Sequence, residues 1–407
     1  MNTVTDHARA VAEEFATVLT HPEPPPRDEP WVGQSLASGA AGIALFHIER
    51  GSSGLSTWHP AHRWIGQAAA GKITATNSTG LYLGAPALAF VLHTAPHHRQ
   101  HLYREARAAL HRHVIRLAHR RVDSALARMY RGENTTFAEY DTFYGLTGIG
   151  AYLLRTAPGG SATEKVLRYL VSLTHPLSGD QRSTPGWWVG HDTRRTHTLR
   201  GGHGNLGVAH GISGPLLVLA QAHRRGIEVE GHTEAIRTIC DHLDAWRQES
   251  TAGPWWPEHL TLADLAAGRP HHPGPARPSW CYGTPGIARA GQLAAIALGD
   301  LPLQHAYEDA LHHCLNDPVQ LSRVIDTSLC HGWSGLYQTV FRAAQDAHTP
   351  RLSAHLPHLA KTLLQQAVPA RSGAGLLEGA AGCALALTTI AADGSPITEW
   401  DSCLLLS

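Results

Sequence analysis

Polar and apolar positions in this chain follow a helical period almost throughout. Val4, Ala8, Val11, Phe15 and Val18 fall on one face of an N-terminal helix. Leu110, Val114 and Leu117 stripe the segment Arg104–Ala127, and Ile236, Ile239, Cys240, Leu243 and Trp246 stripe His232–Arg247. Pro357–Ala367 repeats the pattern, with Pro357 suited to a first helical position. The two-residue alternation of a strand is scarce, so the expected fold is all-α.

Between these amphipathic segments lie stretches of apolar and small residues, each opened by a short glycine motif. The seven motifs are Ser38-Gly39-Ala40-Ala41-Gly42, Leu83-Gly84-Ala85-Pro86-Ala87, Tyr144-Gly145-Leu146-Thr147-Gly148, His210-Gly211-Ile212-Ser213-Gly214, Tyr282-Gly283-Thr284-Pro285-Gly286, His331-Gly332-Trp333-Ser334-Gly335 and Glu378-Gly379-Ala380-Ala381-Gly382. The second carries Ala87 where the others have a second Gly. Roughly 45 to 72 residues separate successive motifs, room for a helical hairpin and a variable loop. Each repeat then holds an inner helix behind its motif and an outer helix later. Glycine ahead of a helix suits a tight turn, and small residues within it let helices approach closely. Pro158–Ser161, Pro176–Trp188, Thr193–Gly204 and Ala266–Pro278 read as loops. No linker interrupts the pattern, so residues 31–407 are expected to form one domain behind an N-terminal helix and proline-rich lead-in at 1–30.

The repeat aligns side chains. Just before the first Gly stand Ser38, Leu83, Tyr144, His210, Tyr282, His331 and Glu378. If the repeats close into a ring, these side chains point at one place. Packing alone favours small or apolar residues there, yet five of the seven are His, Tyr or Glu, the groups of acid–base chemistry.

Composition removes several classes. Lys+Arg and Asp+Glu both number 33, so the chain has no basic footprint for nucleic acid or an anionic membrane. No apolar run reaches 18 residues, and Asp6, Glu13 and Glu14 interrupt the N-terminus where a signal peptide needs an apolar core. A cytoplasmic chain with reduced thiols is expected, despite the even count of six cysteines. No CxxC pair exists to suggest a zinc finger or a thioredoxin-like motif.

Two of the cysteines stand out. Cys281 and Cys330 both lie two residues before the first Gly of their motifs, and His331 follows Cys330. Two thiolates and an imidazole make a three-ligand zinc set with a fourth position for water or substrate, although buried cysteines at helix starts are also ordinary packing residues. His210 is an acid–base group, a further metal ligand, or one packed histidine among 30. Asp141 is a functional carboxylate or an N-cap. Arg277 either stabilises an anion or lies solvated in its loop, Tyr282 either donates a hydrogen bond or packs, and Glu378 either orients a ligand or pairs within the ring. Paired carboxylates for a glycosidase are missing from the aligned positions, where only Glu378 is acidic.

Four of these segments together resemble the lanthipeptide cyclase (LanC) family: Asn205-Leu206-Gly207-Val208-Ala209-His210-Gly211, Ser279-Trp280-Cys281-Tyr282-Gly283-Thr284-Pro285-Gly286, Cys330-His331-Gly332-Trp333-Ser334-Gly335 and Leu377-Glu378-Gly379. Pro185-Gly186-Trp187 is similar to a further family element. The resemblance spans nearly the whole chain and is to the free-standing cyclase. It implies an α/α toroid of seven inner and seven outer helices with a small inserted domain of unspecified limits. It implies one zinc ion at Cys281, Cys330 and His331, and further active-site roles for Asp141, His210, Arg277 and Tyr282. The implied reaction is addition of a Cys thiol of a dehydrated precursor peptide to dehydroalanine or dehydrobutyrine, closing a thioether ring. The implied partners are that peptide and, through a biosynthetic complex that would hold the protein at a membrane, a dehydratase and an exporter. Alternatives are a noncatalytic scaffold for such a complex, a prenyltransferase-like thiol alkylator, and an enzyme adding small thiols such as glutathione to dehydroamino acids.

Overall fold

The computed structural model describes residues 3–22, 28–177, 184–193, 198–369, 373–392 and 394–407. Parts of three segments expected as a break or loops, at 23–27, 178–183 and 194–197, lie outside these. The chain divides into two compact units. One joins residues 1–114 to 324–407, and the other is 115–323.

All seven glycine motifs open a helix: Ala40–Ser52, Gly84–Thr94, Leu146–Thr156, Ser213–Arg224, Thr284–Leu298, Trp333–Asp346 and Ala380–Ala392. These helices are buried nearly all round, as a helix apolar on every side must be. The striped segments form helices at Thr3–Val18, Arg104–Tyr130, His232–Ala245 and Leu356–Gln366, close to the expected bounds. They keep polar faces. In Thr3–Val18, Ala8, Val11, Ala12, Phe15 and Ala16 are buried, while Val18 at the end of the stripe is exposed.

The second glycine of the motif has a steric cause. A Cβ at Gly42, Gly286, Gly335 or Gly382 would collide with the carbonyl oxygen six residues earlier, of Leu36, Trp280, Leu329 and Leu376 respectively. Gly214 repeats the contact with Val208. The inner helix therefore starts directly against its own entry loop. The second repeat enters differently, through Gly84 at φ 66°, and there the equivalent position tolerates a buried Ala87.

Entry loops of neighbouring repeats are tied by backbone hydrogen bonds at equivalent positions. In the first unit Cys330 N donates to Leu377 O at 3.0 Å, Leu377 N to Ala37 O at 2.9 Å, and Leu36 N to Tyr82 O at 2.9 Å. In the second, Thr142 N donates to Ala209 O at 3.1 Å, and Val208 N and Ala209 N donate to Cys281 O at 3.1 and 3.3 Å. These bonds set equivalent residues of successive repeats side by side, and they satisfy backbone groups that a buried loop would otherwise leave unpaired.

Each unit has its own core. Phe15, Phe46, Phe90 and Trp400 fill the first, where Thr3–Val18 packs along Ala380–Ala392. Tyr140, Tyr152, Tyr169, Trp187, Trp188, Trp256 and Trp280 fill the second. One feature differs from the all-helical expectation. The second unit holds an antiparallel three-stranded sheet in the order β1 (Val189–His191), β2 (Thr198–Asn205) and β3 (His259–Thr261). Part of the expected loop Thr193–Gly204 is thus a strand. Its sequence, with three glycines and one β-branched residue, lacks the composition that signals one. The sheet pairs Asn205 with His259 and delivers the chain to the fourth motif.

Candidate functional site

Asp141, His210, Arg277, Cys281 and Tyr282 belong to the second unit, and Cys330 and His331 to the first. In the second unit, Asp141 is fully buried at the end of the short helix Phe137–Tyr140. Its Oδ1 accepts the backbone N–H groups of Tyr144 at 2.6 Å and Gly145 at 2.9 Å. Its Oδ2 lies 2.6 Å from Nδ1 of His210. The carboxylate therefore shapes the third entry loop and aims the imidazole of the fourth repeat at once. Arg121, from the long helix Arg104–Tyr130, clasps the same loop through the carbonyls of Tyr144, at 2.8 Å, and Ala138.

His210 is held on every side yet not sealed, with 23% of its side chain exposed. Phe137 stacks on the ring at a centroid distance of 5.0 Å, Phe143 meets it edge-on at 5.2 Å, and Tyr144 lies parallel at 6.1 Å. Tyr140 Oη donates to its backbone carbonyl at 2.8 Å. With Nδ1 committed to Asp141, Nε2 is the nitrogen left for a reacting group. This is the logic of an acid–base histidine oriented by a buried carboxylate.

The fifth repeat brings Cys281 and Tyr282 beside the fourth. Ser279 makes the turn: its Oγ donates to Tyr282 O at 2.7 Å and accepts from Tyr282 N at 3.2 Å. Gly283, at φ 83°, lets the chain reverse against the Arg277 carbonyl, where a Cβ would collide. The Tyr282 ring is 6.4 Å from that of His210, and Asn205 Nδ2 donates to its oxygen at 3.1 Å. Burial pushes the Tyr282 hydroxyl above its usual range, so it remains a proton donor. Cys281 is buried, with its sulfur 3.5 Å from Ser279 Oγ.

In the first unit, Cys330 and His331 are half-buried on the sixth entry loop. His331 Nε2 lies 3.5 Å from Asp326 Oδ2, while Asp326 Oδ1 accepts Ser328 N at 2.8 Å. An anchored carboxylate behind an imidazole is the usual support of a metal-ligating histidine. Three of the four remaining thiols are different in kind. Burial pushes Cys240 and Cys314 up to about 12 and Cys383 to about 11, which marks them as unreactive packing groups. None of the six cysteines is in a disulfide.

Three residues beside the candidates carry no signal in the motifs. Asn205 opens the segment Asn205–Gly211, but its bonds to Tyr282 and to Gly207 N appear only in the fold. Asp326 is one acid among many. Glu258 precedes β3, and burial raises its carboxyl above the usual range; Cys281 adds to the rise and Arg277 opposes it. Trp187, in the Pro185-Gly186-Trp187 element, is a core residue edge-on to His242.

The architecture and the motif residues define a class. The model of the Lanthionine synthetase C-like protein family matches residues 30–405, and the chain belongs to that family. Among curated proteins it is similar to "Nisin biosynthesis protein NisC" of Lactococcus lactis subsp. lactis, at 24% identity over 336 residues, covering 80% of this chain and 77% of the relative. Among solved structures it is similar to "Nisin cyclase", with a TM-score of 0.80 and 21% identity over 100% of this chain and 98% of that one. The all-α fold of this chain is accordingly an α/α toroid. No helix among the described residues is long and apolar enough to cross a membrane.

Proposed function

We propose that this protein is a lanthipeptide cyclase that closes thioether rings in a dehydrated precursor peptide. The observation that carries the reading is the Asp141–His210 pair, 2.6 Å apart, in a chain of this family. The pair presents one ring nitrogen beside Tyr282 and the loop of Cys281.

Cys281, Cys330 and His331 are the proposed holders of one zinc ion. The donor set suits the metal: two sulfurs and a nitrogen, with the imidazole backed by Asp326 and the three aligned by the repeat. Bound there, zinc would supply the Lewis acidity that makes a thiol nucleophilic at neutral pH.

The rest falls to the chain's own residues. The peptide's cysteine sulfur forms a bond to Cβ of the dehydroamino acid, and the electron pair of the C=C bond moves onto the adjoining carbonyl as an enolate. Arg277, on the fifth entry loop, is the group proposed to offset that charge. Tyr282, its oxygen held by Asn205, donates a hydrogen bond in the same region. His210, in its protonated form, delivers a proton from Nε2 to Cα, and the proton lost by the thiol balances it. Asp141 holds the ring in position through the step and stabilises the imidazolium. Such help is typically worth about 10²–10⁴-fold. Holding the two ends of a flexible peptide together supplies the remainder. The reading includes a cytoplasmic setting, with a dehydratase and an exporter as partners.

The test uses a dehydrated precursor peptide, the zinc-loaded and the metal-free protein, and alkylation of residual thiols followed by mass spectrometry. The zinc-loaded protein should close rings faster than background and in one dominant pattern, and removing zinc should abolish this while leaving most peptide affinity. Equal rates and equal ring mixtures from both forms would reduce the protein to a binding partner.

A further inference from the structure

Three histidines outside this site meet in the second unit. His259 opens β3, and His271 and His272 follow the helix Leu262–Ala267 on the next loop. Their ring centroids are 4.8 Å apart for His259 and His272, 5.4 Å for His259 and His271, and 4.3 Å for His271 and His272. One nitrogen from each lies within 4.8 Å of the other two. Imidazoles this close repel one another when protonated and converge as lone-pair donors when neutral.

The cluster is also oriented. Asp264, 3% exposed, accepts Thr261 N and Thr261 Oγ1 at 2.7 Å each on Oδ2 and His271 N at 2.7 Å on Oδ1. Both of its oxygens lie 3.0 Å from His271 Nδ1. That fixes the tautomer and leaves Nε2 of His271 as the electron-pair donor. A carboxylate that is itself tied down, behind an imidazole, is the arrangement that supports metal-bound histidines. His272 Nδ1 is buried with no hydrogen-bond partner among the described residues, a cost that a ligand would remove.

We propose that His259, His271 and His272 form a second metal site, for a first-row transition ion that prefers imidazole, such as zinc, nickel or copper(II). Three nitrogen donors do not suit magnesium or calcium, which take oxygen, and they leave a fourth position for water. A bound ion would staple the loop at 271–272 to β3. The same loop runs on to Arg277 and Cys281, and Arg323 already ties it at the Pro275 carbonyl. The site would thus steady the segment that carries two candidate residues of the cyclase reaction.

Cobalt(II) separates the two sites, because a thiolate-containing site gives a sulfur-to-cobalt charge-transfer band and an all-imidazole site does not. Titrated into the metal-free wild-type chain, cobalt should bind at two sites. In the Cys281→Ala/Cys330→Ala variant one should remain, without the band. Adding His271→Ala or His272→Ala should weaken this remaining site by more than about 100-fold, and Asp264→Asn by about 10–100-fold. His271 has 55% of its side chain exposed, so its replacement should leave the circular dichroism spectrum unchanged. If the cysteine variant does not fold, His271→Ala alone should reduce wild-type stoichiometry from two to one with the band intact. The proposal is overturned if cobalt binds only with the charge-transfer band, or if affinity survives both histidine replacements. Absence of the band from the wild-type chain, with the imidazole site present, would instead sink the Cys281–Cys330–His331 centre.

Discussion

Buried acids do different work in the two units. In the first, Asp401 and Glu49 are structural ties. Asp401, fully buried, takes Arg342 Nε and Nη2 at 2.6 and 2.7 Å and Gln338 Nε2 at 2.7 Å. Glu49 accepts Ile397 N at 2.9 Å and Thr398 N at 3.0 Å. Both bind the C-terminal segment to helices of the repeat, and every bond goes to a group with no chemistry to perform. In the second unit Asp141 is as deeply buried and also ties a loop, but its second oxygen goes to a histidine that remains part-exposed. The contrast teaches that burial of a carboxylate is not the mark of a site. The mark is an imidazole partner that keeps an open face.

His210→Asn tests the active side of this comparison and should have the largest effect. Ring closure should slow by about 10²–10⁴-fold, while bound zinc and the unfolding midpoint stay near wild type. Loss of zinc from this variant would make His210 a ligand and not a proton donor.

Asp401→Asn tests the structural side. It leaves the Arg342 charge buried with a weakened partner, and should cost about 3–5 kcal/mol in urea unfolding. Ring closure per folded molecule should not change. A cost below about 1 kcal/mol would show that Asp401 is not the tie described here.

The units should respond alike to acid, which sharpens what is particular to Asp141. Burial lowers His47 in the first unit and His242 in the second from the ordinary 6.5 to about 4. The folded chain then binds fewer protons than the unfolded chain between these values. Stability is fully present above about 6.5, falls as pH drops toward 4, and is flat in these two groups below that, with about 3 kcal/mol at stake for each. Urea midpoints measured from pH 7.5 to 4 should fall, and His47→Gln and His242→Gln should each flatten the slope. An unchanged slope in both variants would refute the assignment.

The smallest effect is expected from Tyr282→Phe. It removes the acceptor of Asn205 Nδ2 at the cost of one hydrogen bond, about 1 kcal/mol of stability. Ring closure should fall more than stability does. A stability loss with an unaltered rate would make Tyr282 a packing residue.

Much of this protein is legible without coordinates. The seven helix starts follow from the glycine motifs, because the nearest collision that excludes a side chain at Gly335, as at Gly286 and Gly382, is with the carbonyl six residues before. The amphipathic helices follow from a period of 3.6 residues, also a local property. Residue types at the aligned positions nominate Cys281, Cys330, His331, His210 and Tyr282, since a repeat repeats its geometry. The sheet was hidden: β2 is glycine-rich and is held by its neighbours, not by its own preference. Hidden too were the support of Tyr282 by Asn205 and the meeting of His259 with His271 and His272. Sequence by itself determined where helices begin and which chemistry the entry loops carry, because short-range sterics and periodicity act within one repeat. Only the tertiary structure decided which acid faces which imidazole, because a hydrogen bond between distant side chains depends on how the repeats are set side by side.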